Sequence, residues 1–132
     1  MTEQSEIVRR ALEFIELYFV KIRTVDEIAG ALHVDLKHLQ GVFKVETGKS
    51  LKEYIRTLRL KHLNRLLKRT KGREIAFFYA HAVGYGKLSS FYGFLKSQTG
   101  MTFIEYKNLC LKNTLMPPDN FESKNETNLE TL

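Results

Sequence analysis

Apolar positions recur along this chain at helical spacing, in segments parted by short polar turns. From Glu3 to about Lys21 the residues Ile7, Ala11, Phe14, Ile15 and Tyr18 fall on one side of a 3.6-residue repeat, which predicts an amphipathic helix with one buried face. Thr24-Val25-Asp26-Glu27 has the spacing of a capping box, in which the threonine hydroxyl accepts from the Glu27 amide and the glutamate reaches back. A short helix is therefore predicted from Val25 to about Leu32. Asp35 is the next N-cap, opening a helix through Leu39 and Phe43 to Glu46, and Gly48 supplies a left-handed stop. Ser50-Leu51-Lys52-Glu53 is a second capping box. It starts a long helix carrying Tyr54, Ile55, Leu58, Leu63, Leu66 and Leu67, which Thr70-Lys71-Gly72 closes.

The order then repeats. Glu74 to Ala82 predicts a short aromatic helix, Val83-Gly84-Tyr85-Gly86 a turn, and Leu88 to about Thr99 a second helix stopped by Gly100. Thr102-Phe103-Ile104-Glu105 is a third capping box and opens a final short helix, and Pro117-Pro118 ends regular structure. Thr47-Gly48-Lys49-Ser50-Leu51-Lys52-Glu53-Tyr54 superimposes on Thr99-Gly100-Met101-Thr102-Phe103-Ile104-Glu105-Tyr106 at an offset of 52. At that offset Leu36 meets Leu88, Gly41 meets Gly93 and Lys44 meets Lys96, while Leu39/Phe91 and Phe43/Leu95 keep the apolar stripe. Two copies with a long connector are too few for a solenoid. Each copy is a short helix, a turn and a second helix, which is the helix-turn-helix plan. The expected fold class is all-α: two helix-turn-helix units joined by a long connecting helix.

Composition changes the picture in one respect. The 132 residues are 43% hydrophobic, enough for a packed core in one domain. Their net charge of +6 is unevenly spread: residues 1–116 carry +9 and residues 117–132 carry −3. The ordered part is thus more basic than the whole, which suits a polyanionic partner. From Arg56 to Arg73 there are eight cations (Arg56, Arg59, Lys61, Arg65, Lys68, Arg69, Lys71, Arg73) and no acid. A solubilising helix face explains such a run as well as phosphate contacts or a surface for RNA polymerase. Cys110 is the single cysteine, so no internal disulfide or multi-cysteine zinc site can form. His33, His38, His62 and His81 are scattered without partners at ligand spacing, and no paired-carboxylate or histidine constellation suits catalysis, so no metal, cofactor or enzymatic activity is expected. No apolar run reaches transmembrane length, and a membrane-surface role for the basic connector is set aside because its apolar face should already be occupied by the two units.

The ordered set Glu27-Ile28-Ala29, Leu39, Phe43-Lys44, Gly48, Tyr54, Arg59-Leu60 and Leu66-Leu67, followed by Ala80, Val83-Gly84-Tyr85, Ser89, Phe91, Lys96, Gly100 and Tyr106, resembles the DNA-binding domain of the AraC family of bacterial activators. The resemblance spans about Ile7 to Lys107. It implies a bacterial, cytoplasmic, nucleoid-associated transcription regulator that binds double-stranded DNA as a monomer, and one lacking an effector-binding domain. It also implies a DNA-binding domain over 1–112, with helix-turn-helix units at about 24–48 and 73–100, a connecting helix at about 51–69 and a final helix at about 103–112. A flexible, polar, acidic tail would fill 113–132. The chain departs from the family pattern at Gly41 and Gly93, where Arg is usual, at Phe103, where Pro is usual, and at Lys87, where a capping Ser or Asp is usual.

In a helix-turn-helix the second helix enters the major groove and its exposed face meets base edges. With Leu36, Leu39 and Phe43 inward, the candidates in the first unit are Lys37, His38, Gln40, Gly41 and Lys44. Gln40 suits adenine, accepting from N6 and donating to N7. With Leu88, Phe91 and Leu95 inward, the candidates in the second unit are Ser89, Ser90, Tyr92, Gly93 and Lys96, a set better suited to phosphate positioning and shape than to a base code. Close packing explains the two glycines as readily as a lost contact. The rival to DNA reading is a protein-interaction module that keeps the fold and binds another regulator.

Overall fold

The computed structural model describes residues 3–113, and among these the regular structure is entirely helical. Its helices are α1 (Glu3–Tyr18), α2 (Asp26–Leu32), α3 (Leu36–Thr47), α4 (Leu51–Thr70), α5 (Ala76–Ala82), α6 (Leu88–Thr99) and α7 (Phe103–Asn113). The chain divides into two compact units between Arg59 and Leu60, and α4 contributes to both. The tail expected over 113–132 lies outside the described residues except for Asn113, which ends α7.

In the first unit α1 packs on α2 and α3, burying Ile7, Val8, Ala11 and Ile15 against Ile28, Ala29, Leu32, Leu39, Val42 and Phe43. Leu51 and Ile55 of α4 complete this core. The helix α1 ends at Tyr18, short of the expected Lys21. The chain turns there because the amides of Lys21 and Ile22 both donate to the Tyr18 carbonyl, at 2.8 and 3.0 Å. The carbonyls beyond it are claimed by Arg59, whose Nε donates to Phe19 O at 3.0 Å and whose Nη2 donates to Ile22 O at 2.8 Å. Arg59 is only 8% exposed, so its charge is buried but hydrogen-bonded, the condition under which such burial is tolerated. Arg10 likewise donates to the Leu32 carbonyl at the end of α2, at 3.1 Å.

The capping boxes form to different degrees. Ser50 and Glu53 make the full reciprocal pair, at 2.8 and 3.1 Å, and Thr102 and Glu105 do the same at 3.0 and 3.2 Å. At Thr24 only half of the box exists. Glu27 accepts from the amides of Arg23 and Thr24, but the Glu27 amide donates to the Thr24 carbonyl instead of its hydroxyl. Asp35 caps α3 by accepting from the His38 amide at 2.9 Å, and Gly48 ends it at φ 81°. The turn between α2 and α3 places His33 in the left-handed region at φ 59°, which assigns that histidine a backbone role.

In the second unit Leu63, Leu66 and Leu67 of α4 meet Tyr79, Ala80, Val83, Phe91, Phe94 and Leu95, and α7 covers them with Phe103, Tyr106 and Cys110. Aromatic rings do much of the joining: Phe103 lies 5.7 Å from Tyr79 and 5.4 Å from Phe91. The buried Tyr79 keeps its hydroxyl satisfied by the Glu74 amide at 3.1 Å and by Thr70 Oγ1 at 2.6 Å. Gly72 sits at φ 66°, a left-handed conformation that favours glycine, and an added Cβ there would press on the flexible side chains of Leu111 and Lys107 at 2.9 and 3.0 Å. Burial pushes the Cys110 thiol up to about 11, so this cysteine is a protonated core residue.

Phe14, Tyr54 and Leu58, expected in the core, are only partly buried against it. Tyr54 sets one edge of its ring against Phe43 and turns its hydroxyl outward to Glu16 at 3.0 Å. Burial, then the bond to Glu16, raises that phenol to about 12.

Phe43 is fully buried, so Phe43→Ala should cost about 3–5 kcal/mol in urea unfolding. A cost below about 1 kcal/mol, as for a surface substitution, would place Phe43 outside the core. Lys87 precedes α6 with no side-chain cap and brings positive charge to the positive end of that helix. Lys87→Asp should therefore stabilise the chain by about 0.5–2 kcal/mol, read as a higher denaturation midpoint at unchanged m-value.

Candidate nucleic-acid interface

The candidate faces follow from what each second helix buries. In α3, Leu39, Val42 and Phe43 turn inward at i, i+3 and i+4, and Lys37, His38, Gln40, Gly41 and Lys44 are all exposed. In α6, Phe91, Phe94 and Leu95 turn inward in the same register, and Ser89, Ser90, Tyr92, Gly93 and Lys96 are all exposed. Leu36 and Leu88 are half-buried at the helix starts. Within each unit, then, the structure gathers the five expected residues on one helix face. The faces correspond pairwise at the offset of 52: Lys37 with Ser89, His38 with Ser90, Gln40 with Tyr92, Gly41 with Gly93 and Lys44 with Lys96.

Close packing does not explain the two glycines. A Cβ built on Gly41 or on Gly93 meets nothing within 4 Å, and neither residue has a positive φ. Each therefore weakens its helix by roughly 1 kcal/mol relative to alanine with no return in packing or backbone freedom. Tyr92 is 42% exposed with its ring 5.9 Å from Phe91, so it rests on the rim of the core.

The electrostatics differ between the units. The face of α3 carries Lys37 and Lys44, and Lys44 Nζ lies 3.9 Å from Glu53 in an exposed pair. Glu53 is held below the usual carboxylate range, first by the Ser50 amide and then by Lys44 and Lys49. The face of α6 carries Lys96 alone. Along α4 the cation run is broken up: Arg59 is buried and bound to carbonyls, Lys68 is half-buried, and Arg56, Lys61, Arg65 and Arg69 are exposed. His62, half-buried, is shifted down by burial and then by Arg65 and Arg69, which favours its neutral form. Among the described residues no group of His, Cys, Asp and Glu could hold a metal ion.

One surface escaped the sequence reading. The buried triads Ile28, Ala29, Leu32 of α2 and Tyr79, Ala80, Val83 of the α5 segment correspond at an offset of 51. At that offset Asp26 and Glu27 of the first unit are replaced by Phe77 and Phe78, which are 44% and 41% exposed beside an exposed Ile75. Aligning the two leading helices would have revealed this.

Two helix-turn-helix units, each exposing one face of its second helix, define the class of a helix-turn-helix protein. A family model described as a helix-turn-helix domain matches residues 28–108, and the chain belongs to the AraC-type helix-turn-helix family. It is 33% identical over 63 residues to the lactose operon transcription activator of Staphylococcus xylosus, covering 48% of this chain and 23% of that protein. It is 30% identical over 98 residues to an uncharacterised helix-turn-helix-type transcriptional regulator, YobQ, of Bacillus subtilis, covering 74% of this chain and 40% of that protein. The chain thus spans less than half the length of these relatives. Among solved structures it is similar to the C-terminal domain of AraT, a response regulator from Geobacillus stearothermophilus, with a TM-score of 0.71 and 26% identity over 84% of this chain and 88% of that one. The fold also matches a DNA-binding transcriptional dual regulator from Escherichia coli K-12, with a TM-score of 0.64 and 20% identity over 80% and 93% of the two chains. No helix among the described residues is long and apolar enough to cross a membrane.

Because Glu53 is depressed in the folded chain, its contribution is present above the ordinary carboxylate value of 4.5 and is lost as pH falls through the lower folded value. Glu53→Gln should flatten that part of the acid limb in pH-dependent melting. An unchanged acid limb would remove Glu53 from the account.

Proposed function

We propose that this chain binds double-stranded DNA through α3 and α6, placed in successive major grooves, and so regulates transcription. The observation that carries the reading is the matched exposure of five residues on the second helix of each unit. In this reading Gln40 and Lys37 contact base edges or adjacent phosphates, while Ser89, Ser90 and Lys96 position the second unit on the backbone. The exposed α4 cations Arg56, Lys61, Arg65 and Arg69 answer flanking phosphates or a surface of RNA polymerase. One chain carries both reading faces, so it binds as a monomer to a non-palindromic site.

The absence of arginine at positions 41 and 93 favours one rival, a module that keeps the fold and binds another regulator. Salt titration of binding to selected and random duplexes separates the two. For DNA reading, log affinity falls with log salt by about 0.9 per phosphate neutralised, and the gap between specific and non-specific affinity is small. Gln40→Ala and Tyr92→Ala should weaken protection in different half-sites of the footprint, the first more strongly. No duplex binding at low salt, or a two-fold symmetric footprint, overturns this reading.

A further inference from the structure

The two glycines on the reading faces have no role inside the chain. They occupy the same register of α3 and α6, they sit in ordinary helical backbone, and a Cβ on either would point into open space. Each is bracketed by polar side chains one turn away: Lys37 and Lys44 around Gly41, and Ser89 and Lys96 around Gly93. The result is a gap in each face whose floor is backbone and whose walls are long or hydroxyl-bearing side chains. Any atom that would crowd a Cβ there must come from outside the chain.

We infer that Gly41 and Gly93 are specificity-determining positions, each letting its helix approach the floor of the major groove closely enough to receive a thymine methyl group. This rests on the DNA reading proposed above and adds a base preference to it. The thymine C5-methyl is the apolar group that projects into the major groove, and it is recognised by apolar contact instead of a hydrogen bond. A backbone floor with no side chain presents Cα hydrogens to that methyl, whereas arginine at the same position would fill the space and seek guanine. Because the two glycines share one register, each half-site has a thymine at the equivalent position.

Gly30 provides an internal control. It is also a helical glycine with nothing within 4 Å of an added Cβ, but it lies on α2, away from both faces. Duplexes are first selected from a randomised pool with the parent chain. Gly41→Ala, Gly93→Ala and Gly30→Ala are then compared in thermal unfolding and in binding to the selected duplex. All three should melt higher than the parent. Gly41→Ala and Gly93→Ala should nonetheless bind about tenfold more weakly, towards the low end of what one base contact is worth, while Gly30→Ala binds as the parent does. Deoxyuridine in place of one thymine per half-site removes the methyl and leaves base pairing intact. It should weaken the parent several-fold, whereas each alanine variant should lose its sensitivity only in the half-site that its own altered helix reads. If the parent binds a selected duplex and Gly41→Ala and Gly93→Ala bind it equally well, or if deoxyuridine is neutral at every thymine, this inference fails alone. If the parent binds no duplex at all, the DNA reading fails and takes this one with it.

Discussion

The inward registers of α3 and α6 fix everything outside them. Helices of twelve residues are marginal in water, and the seven-residue α2 and α5 would not persist alone. They exist because Leu39, Val42 and Phe43 in one unit, and Phe91, Phe94 and Leu95 in the other, are removed from water against the leading helices. Burial at i, i+3 and i+4 sets the rotation of each helix about its own axis. Once that rotation is set, the outward residues have no freedom of placement. The candidate interface is therefore a by-product of the core, and a substitution that slips the core by one position would turn a different set outward.

The two units reach that arrangement by different means. The first secures loose backbone with polar groups: Asp35 on the His38 amide, Arg10 on the Leu32 carbonyl and Arg59 on the carbonyls after α1. The second leaves the starts of α5 and α6 without side-chain caps. It relies on linked aromatic rings, with Tyr85 4.9 Å from Phe94 and Phe103 between Tyr79 and Phe91. A single tyrosine hydroxyl, that of Tyr79, joins the end of α4 to the start of α5. Such rings contribute a large apolar area but do not satisfy helix ends.

What could be read in the sequence is what depends on near neighbours. The limits of α6, the reciprocal caps at Ser50 and Thr102 and the glycine stops are set within four residues, so pattern alone places them. What could not be read depends on partners far along the chain. Arg59 stands in a run of cations, and only its match to a family position that usually packs sets it apart from a solvated charge; its actual partners, carbonyls 40 and 37 residues away, could not be read. Tyr54 has the spacing of a core residue, but Glu16, 38 residues distant, draws its hydroxyl outward. Val42 and Phe94 join stripes that already close through Leu39 and Phe43 in one unit and Phe91 and Leu95 in the other, so the period alone does not call for them. For the candidate site, the face was legible from the period, while the open space around Gly41 and Gly93 needed coordinates.

The two faces are alike at the positions that depend on geometry and unlike at those that offer chemistry. They share glycine at 41 and 93 and lysine at 44 and 96, but oppose lysine to serine at 37 and 89, histidine to serine at 38 and 90, and glutamine to tyrosine at 40 and 92. Under the DNA reading, lysine near the end of each helix gives both units a cation in the same register, and the glycines give both the same approach. The remaining positions cannot demand the same bases, because a lysine or glutamine amide presents hydrogen-bonding groups that a serine or a phenol on the core's rim does not reproduce. A palindromic site would offer each face the same half-site and leave one of them mismatched. Under that same reading, shared anchors with unshared readers suit an asymmetric site bound by a single chain, in which the first unit would contribute more of the discrimination and the second more of the hold on the backbone.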